Sequence, residues 1–522
     1  MSAAEISRRA LIGASGAALL IPHRARSATA SPVVAAPAGR FRGVRGSDGV
    51  TAFRGIRYGV AERFQAPRPP ARSDAIIPCD AFGPVAPQSG DRYGPQSEDC
   101  LFLNVWTTDA RPTARKPVML YIHGGAYSGG SVTDPLNDGV TLAARGDVVV
   151  VTVNHRLNAF GYLYLARLDP RFPDSGNAGQ LDLILALRWV RDNIAAFGGD
   201  PSRVMVVGQS GGGAKIATMM GMPAAKGLFH RAATMSGQQV TASGPLNATQ
   251  RTRAYLAKLS VGETDLSPLL AMPQQKLVEA LDATDPILGG GVYFGPVLDM
   301  TWLTRHPFWP DANPQSNAIP MLLGNTHDET RGFIGLDSPR LRGLDWSNLA
   351  ERIAPELRID ILPEWVVAQY RAQFPAWSPL DIFYGATTAG RSWRGQVIEA
   401  ERRVEAGAPT WVYQVDFASR TDPRRGAFHT MDIPLVFGTL GATGSQTGTA
   451  TDARIASTAL QDSFVAFAKT GNPDHSGLPH WPRYDLAHRS TLLVDAPPTI
   501  VQDPRKWERE LFARVPYIQP GT

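Results

Sequence analysis

The sequence predicts an α/β fold: a large, mostly parallel central sheet flanked by helices, with helical insertions over the active-site face. Three observations carry that prediction. The apolar run Val204-Met205-Val206-Val207 leads into the turn Gly208-Gln209-Ser210-Gly211-Gly212 and then into a helical pattern. Before it, apolar strands at residues 116–122 and 147–153 are followed by a helix with Leu183, Leu187, Val190, Ile194 and Phe197 at alternating four- and three-residue spacing, one buried face. After it, residues 232–236, 319–323 and 411–417 supply further strand candidates. Strand, helix and strand in that order make a right-handed βαβ unit of a parallel sheet.

The chain of 522 residues suits one very large α/β domain or two to three ordinary ones, and 43% hydrophobic with 19% charged residues is ordinary globular composition. The formal charge of +5 comes from scattered arginines without a lysine or arginine run, which argues against a nucleic-acid partner. There is no internal repeat. No stretch after the N-terminus is long and apolar enough for stable membrane insertion.

Residues 1–30 read as an export signal. Ser7-Arg8-Arg9-Ala10-Leu11-Ile12 resembles a twin-arginine motif, a short apolar region follows, and Ala28-Thr29-Ala30 is a small-residue cleavage site. An exported protein is expected, periplasmic or secreted, with residues 31–522 forming a single domain. From residue 39 to about 70, short apolar pieces alternate with turns and suit an antiparallel edge hairpin. Cys79 and Cys100 are the only cysteines. After export, a bond between them would close a loop of about twenty residues and add roughly 3 kcal/mol, but the spacing fits two buried thiols equally well.

The strand at 116–122 runs into His123-Gly124-Gly125-Ala126-Tyr127, where small residues let backbone N–H groups approach an anion. Asn154-His155-Arg156-Leu157 follows the next strand, and Gly198-Gly199 ends the amphipathic helix. At the centre lies G-x-S-x-G. A serine hydroxyl becomes a useful nucleophile when a sharp strand-to-helix turn holds it out of the sheet, beside a base and free N–H groups. Residues 240–315 and 335–405 lack the alternation of strand and helix and carry many prolines and tryptophans, so they read as excursions over the active-site face.

A base and an acid must lie further along, in the chain order serine, acid, histidine. Asp328 and Glu329 sit in the loop after the strand candidate at 319–323, and either could serve. Beyond them, 411–417 alternates like a last strand and is followed by Gly426-Ala427-Phe428-His429. His475, His480 and His488 fall in a proline-rich tail away from any strand end, which selects His429.

These motifs together resemble the type B carboxylesterases, which include cholinesterases, bacterial para-nitrobenzyl esterases and some fungal lipases. The likeness runs through Ser97-Glu98-Asp99-Cys100-Leu101-Phe102-Leu103-Asn104-Val105-Trp106, the His123 turn, Asn154-His155-Arg156-Leu157, Gly176-Asn177-Ala178-Gly179, Phe197-Gly198-Gly199-Asp200-Pro201, the serine elbow, Asp328-Glu329 and Gly426-Ala427-Phe428-His429. The resemblance implies an α/β-hydrolase fold and a serine esterase. Its nucleophile would be Ser210, its base and then acid His429, its orienting carboxylate Glu329, and its oxyanion donors the N–H groups of Gly125, Ala126 and Gly211. His123 would hold the turn. The implied partner is a small-molecule ester, with no cofactor and no metal.

Three departures stand out. Gln209 and Gly211 replace the glutamate and alanine more usual in the family elbow, and Thr330 stands where a glycine usually follows the acid. Ala86 replaces the cysteine that usually pairs with the position of Cys100, leaving Cys79 as the substitute. Two other readings compete: a non-catalytic cholinesterase-like binding protein, against which all three triad residues argue, and an interfacial lipase, whose apolar lid is not identifiable in the sequence.

Overall fold

The computed structural model describes residues 32–519 and 521, so the export-signal reading of residues 1–30 lies outside the described chain. Its strands are β1 (Val33–Ala36), β2 (Gly39–Arg42), β3 (Val44–Arg45), β4 (Thr51–Arg57), β5 (Ser73–Pro78), β6 (Phe102–Thr107), β7 (Lys116–Ile122), β8 (Val149–Val153), β9 (Gly199–Gln209), β10 (Arg231–Met235), β11 (Met321–Thr326), β12 (Thr410–Val415), β13 (Ser490–Val494) and β14 (Thr499–Gln502). An 11-stranded sheet has the order β14-β13-β12-β11-β10-β9-β7-β8-β6-β4-β3, and β1-β2-β5 form a small second sheet. Pairing is parallel from β13 across to β8 and antiparallel at both margins. The edge hairpin expected between residues 39 and 70 is β3–β4, and β1 and β2 form a further antiparallel pair that begins before that range.

The central strands are apolar throughout because both faces of the sheet are covered. Along β7, Val118, Leu120 and Ile122 enter one core with Leu183, Leu187 and Ile194. Met119 and Tyr121 point the other way, into a core with Leu460 and Phe464 of the helix Thr451–Thr470. The first core is roofed by the helix Ala178–Asn193, whose continuation to Phe197 stops at Gly198 in the left-handed conformation. Gly199 already belongs to β9 rather than to the helix end. The connection from β8 to β9 also passes over β7, which lies between them, so the unit expected from the sequence is not a pair of adjacent strands.

Two expectations need correction. Residues 411–417 do not form the last strand, since β13 and β14 follow. His488 therefore does lie near a strand end, but at the start of β13, the edge opposite to the one that carries Ser210. The excursion at 335–405 is helical, as expected, with Pro363–Gln373, Pro379–Thr388 and Arg394–Glu405 as its main helices. It has an apolar core of its own around Ile353, Val366, Tyr370 and Phe383.

Candidate active site

Ser210, His123 and the acid pair 328–329 all follow the carboxyl ends of parallel strands, β9, β7 and β11, which gathers them on one edge of the sheet. Ser210 sits at φ 53 and ψ −122, a conformation that L residues rarely adopt. Its N–H donates to the Met235 carbonyl at 2.7 Å and its carbonyl accepts from Ala214 N–H at 3.0 Å, so β10 and the helix Gly211–Met220 hold the strain. The flanking glycines are required by contact. A Cβ at 208 would come within 2.4 Å of the Gly212 backbone, and one at 212 within 2.0 Å of the Ile122 carbonyl oxygen.

The acid pair divides its labour. Glu329 is fully buried and its carboxylate accepts a hydrogen bond from His429 Nδ1. Its other oxygen accepts from Asn325 Nδ2 at 2.9 Å and Thr326 N–H at 2.8 Å. Burial alone would raise its pKa, but the His429 imidazole first, with the Thr326 N–H among the hydrogen bonds, outweighs burial and holds the carboxyl below the ordinary glutamate range. Asp328 instead accepts the Ala427 N–H at 3.0 Å and so fastens the loop that carries His429. With Nδ1 donating to Glu329, Nε2 is the free lone pair, and the Gln209 side-chain amide donates to it at 3.2 Å. The ring also packs on Phe333, 4.3 Å between centroids.

Opposite the elbow, Gly125 and Ala126 both have positive φ, 93 and 53. Among the described residues neither N–H has a protein acceptor, and the N–H of Gly211, first in its helix, has no intrahelical one. This turn is held by Lys215, which no sequence motif singles out, and by the close approach of Gly211. Lys215, fully buried, donates to the Ala126 carbonyl at 2.6 Å and lies 4.8 Å from the centre of the Tyr127 ring. Burial pushes its pKa down to about 7. Gly211 lets the turn approach, since a Cβ there would stand 2.0 Å from the Ala126 carbonyl oxygen. His123 contacts the Gly124 carbonyl through Nδ1 at 2.8 Å and stacks on His155 at 4.7 Å. Burial and then Lys215 push its pKa down to about 3, so it is neutral and structural, as the resemblance implied.

Arg156 and Asp182, both buried, form a paired salt bridge at 2.7 Å that pins the segment after β8 to the helix beneath it. The expected bond between Cys79 and Cys100 is not made. Both are buried free thiols: Cys79 continues the small sheet and donates to the Ile77 carbonyl at 3.6 Å, whereas Cys100 leads into the large sheet. Burial, first of all, pushes the Cys79 thiol up to about 12 and Cys100 higher still.

Ser210, His429, Ala126 and Gly211 line one cavity of about 220 Å³, together with Tyr293, Arg358 and Arg391 from the two excursions, Phe333 just after the acid pair and Tyr517 from the C-terminal segment. Sequence reading missed those arginines because no motif surrounds them.

A strained serine between a parallel strand and a helix, sharing a cavity with a carboxylate-held imidazole, is the arrangement of the α/β-hydrolase class. The chain belongs to the carboxylesterase family, which its residues 30–366 and 384–512 match. It is 35% identical over 503 residues to the para-nitrobenzyl esterase of Bacillus subtilis, covering 92% of this chain and 98% of that one. With the phenmedipham hydrolase of Pseudarthrobacter oxydans it shares 31% identity over 86% of this chain and 92% of that protein. The crystal structure of the Geobacillus stearothermophilus carboxylesterase EST55 at pH 6.2 superposes with a TM-score of 0.83 at 33% identity, covering 92% of this chain and 99% of that one. The protein is a carboxylic ester hydrolase.

Proposed function

We propose that hydrolysis runs through an acyl-enzyme on Ser210. His429 Nε2 takes the hydroxyl proton as Ser210 Oγ attacks the ester carbonyl, and the N–H groups of Gly125, Ala126 and Gly211 receive the oxyanion. The imidazolium then gives its proton to the departing alcohol. In the second half, His429 activates a water that attacks the acyl carbon and returns the proton to Ser210. Glu329 fixes the tautomer and stabilises the imidazolium. The Gln209 amide yields Nε2 to the serine hydroxyl when substrate enters.

The observation that carries this reading is the His429–Glu329 hydrogen bond beside a serine at φ 53 in the same cavity. Replacing Ser210 by alanine is expected to leave a folded protein whose hydrolysis of a para-nitrophenyl ester falls by roughly four to six powers of ten. Near-normal turnover by that variant would remove the assignment. The twin-arginine-like Ser7-Arg8-Arg9 segment further supports export to the periplasm or medium. Replacing both arginines by lysine should then leave the protein in the cytoplasm, and unchanged fractionation would argue against this route.

A further inference from the structure

The wall of the Ser210 cavity carries positive charge that the hydrolytic steps do not use. Arg358 and Arg391 line this cavity and also an adjoining one of about 800 Å³, with Tyr293 and Phe333 as the other shared walls. Arg391 is committed: its guanidinium binds Glu356 at 2.8 Å and lies 4.7 Å from the centre of the Phe333 ring. Glu356 also receives Arg340.

Arg358 differs. Among the described residues its guanidinium meets no carboxylate, and its buried Nε has no hydrogen-bond partner. Its backbone is nevertheless fixed on both sides, by Arg358 N–H to the Gly390 carbonyl at 2.9 Å and by Ile518 N–H to the Arg358 carbonyl at 2.7 Å. A half-buried arginine on a fixed backbone, its Nε unpaired, stands in the wall shared by the two cavities. The other charges around it do not neutralise it. The larger cavity holds Arg340, Arg352, Arg358 and Arg391 against Asp285, Glu351 and Glu356, and Asp285 already pairs with buried Arg251 at 2.7 Å.

We infer that Arg358, with Arg391 beside it, forms an anion subsite, so that the preferred substrate is an ester bearing a carboxylate besides the scissile bond. This rests on the esterase reading above and names its substrate class. A planar guanidinium fits a carboxylate through two parallel N–H donors, and a partly desolvated pair is stronger than one in water. Neutral esters would enter the same cavity without engaging Arg358.

The test uses two matched pairs and kcat/KM. Mono-4-nitrophenyl adipate against 4-nitrophenyl hexanoate places the carboxylate on the acid side; 4-acetoxybenzoate against its methyl ester places it on the alcohol side. In at least one pair the wild-type enzyme is expected to favour the anionic member. Arg358→Gln should lower that anionic-to-neutral ratio roughly tenfold or more, and Arg358→Lys should restore part of it. If the glutamine variant fails to fold, the wild-type ratio in 0.5 M KCl against low salt gives the same reading, and it should fall with salt. A wild type that favours the neutral member of both pairs overturns the inference, as do variant ratios within twofold of wild type or a ratio indifferent to salt. Failure to hydrolyse any of the four esters would instead strike at the esterase reading itself.

Discussion

Asp328 and Ala427 are joined twice: the Asp328 N–H donates to the Ala427 carbonyl at 2.9 Å, and the Asp328 carboxylate accepts the Ala427 N–H at 3.0 Å. This two-point clasp brings the loop after β12 against the loop after β11, with Glu329 one residue beyond Asp328 and His429 two residues beyond Ala427. Gly426 is part of it, since a side chain there would stand 2.2 Å from the Asp328 carboxylate. Adjacent acids therefore have separate duties. Glu329→Gln should lower kcat by a hundredfold or more on the scale of other triad carboxylates. Asp328→Asn should cost far less in kcat and show itself mainly as a lower Tm. Equal losses of kcat in both variants would contradict this division.

Gly211 and the Ala126 carbonyl are packed so closely that a methyl group cannot be added without moving the turn. Gly211→Ala is expected to fold, with kcat on 4-nitrophenyl acetate reduced roughly tenfold or more because a displaced N–H no longer faces the oxyanion. Wild-type kcat in that variant would mean that the turn tolerates the shift.

Lys215 makes a prediction about pH. Its pKa in the fold, about 7, lies below the unfolded value near 10.5. Below pH 7 both states carry the proton and the fold bears the whole cost of a buried cation. Between about 7 and 10.5 the unfolded chain holds the proton that the folded one has released, and the cost declines at about 1.4 kcal/mol per pH unit. Relative to wild type, Lys215→Met should therefore gain most in Tm at pH 6 and steadily less toward pH 9. A difference independent of pH would show that Lys215 does not titrate in this range. The same variant frees the Ala126 carbonyl, so its kcat should fall even where its stability rises.

The two cysteines offer a simple chemical check. Buried thiols with raised pKa values react poorly, because the thiolate is the reactive form. Native protein should resist a thiol-specific disulfide reagent, and denatured protein without reductant should release two equivalents. A linked peptide in non-reducing mass spectrometry would contradict the free-thiol structure.

What was legible in the sequence, and what was not, follows from how each feature is encoded. Buried parallel strands announce themselves as apolar runs, so β7, β8, β9 and β11 were readable together with the serine elbow and His429. The choice between Asp328 and Glu329 was not readable, because it depends on which side chain turns inward in a loop; only the resemblance pointed to Glu329. β13 and β14 were hidden by the prolines around them, at 473, 479, 482, 497, 498 and 504. Lys215, Gln209 and Arg358 act through contacts made across more than eighty residues of chain, to Ala126, His429 and the Ser210 cavity. No local pattern marks such residues. A lysine on a helix face otherwise buried was the one available hint.

The helical excursion at 335–405 packs largely around the core of Ile353, Val366, Tyr370 and Phe383, and lends Arg358, Arg391 and Ser392 to the Ser210 cavity. If Arg358 selects the substrate as proposed, bond-breaking machinery and substrate selection are written in different stretches of one chain. A change in the rim would then alter which esters are admitted and leave the elbow, the imidazole and its carboxylate as they are. For an engineer, the same partition marks Arg358 and its neighbours as the place to vary, and the edge of the sheet as the place to leave alone.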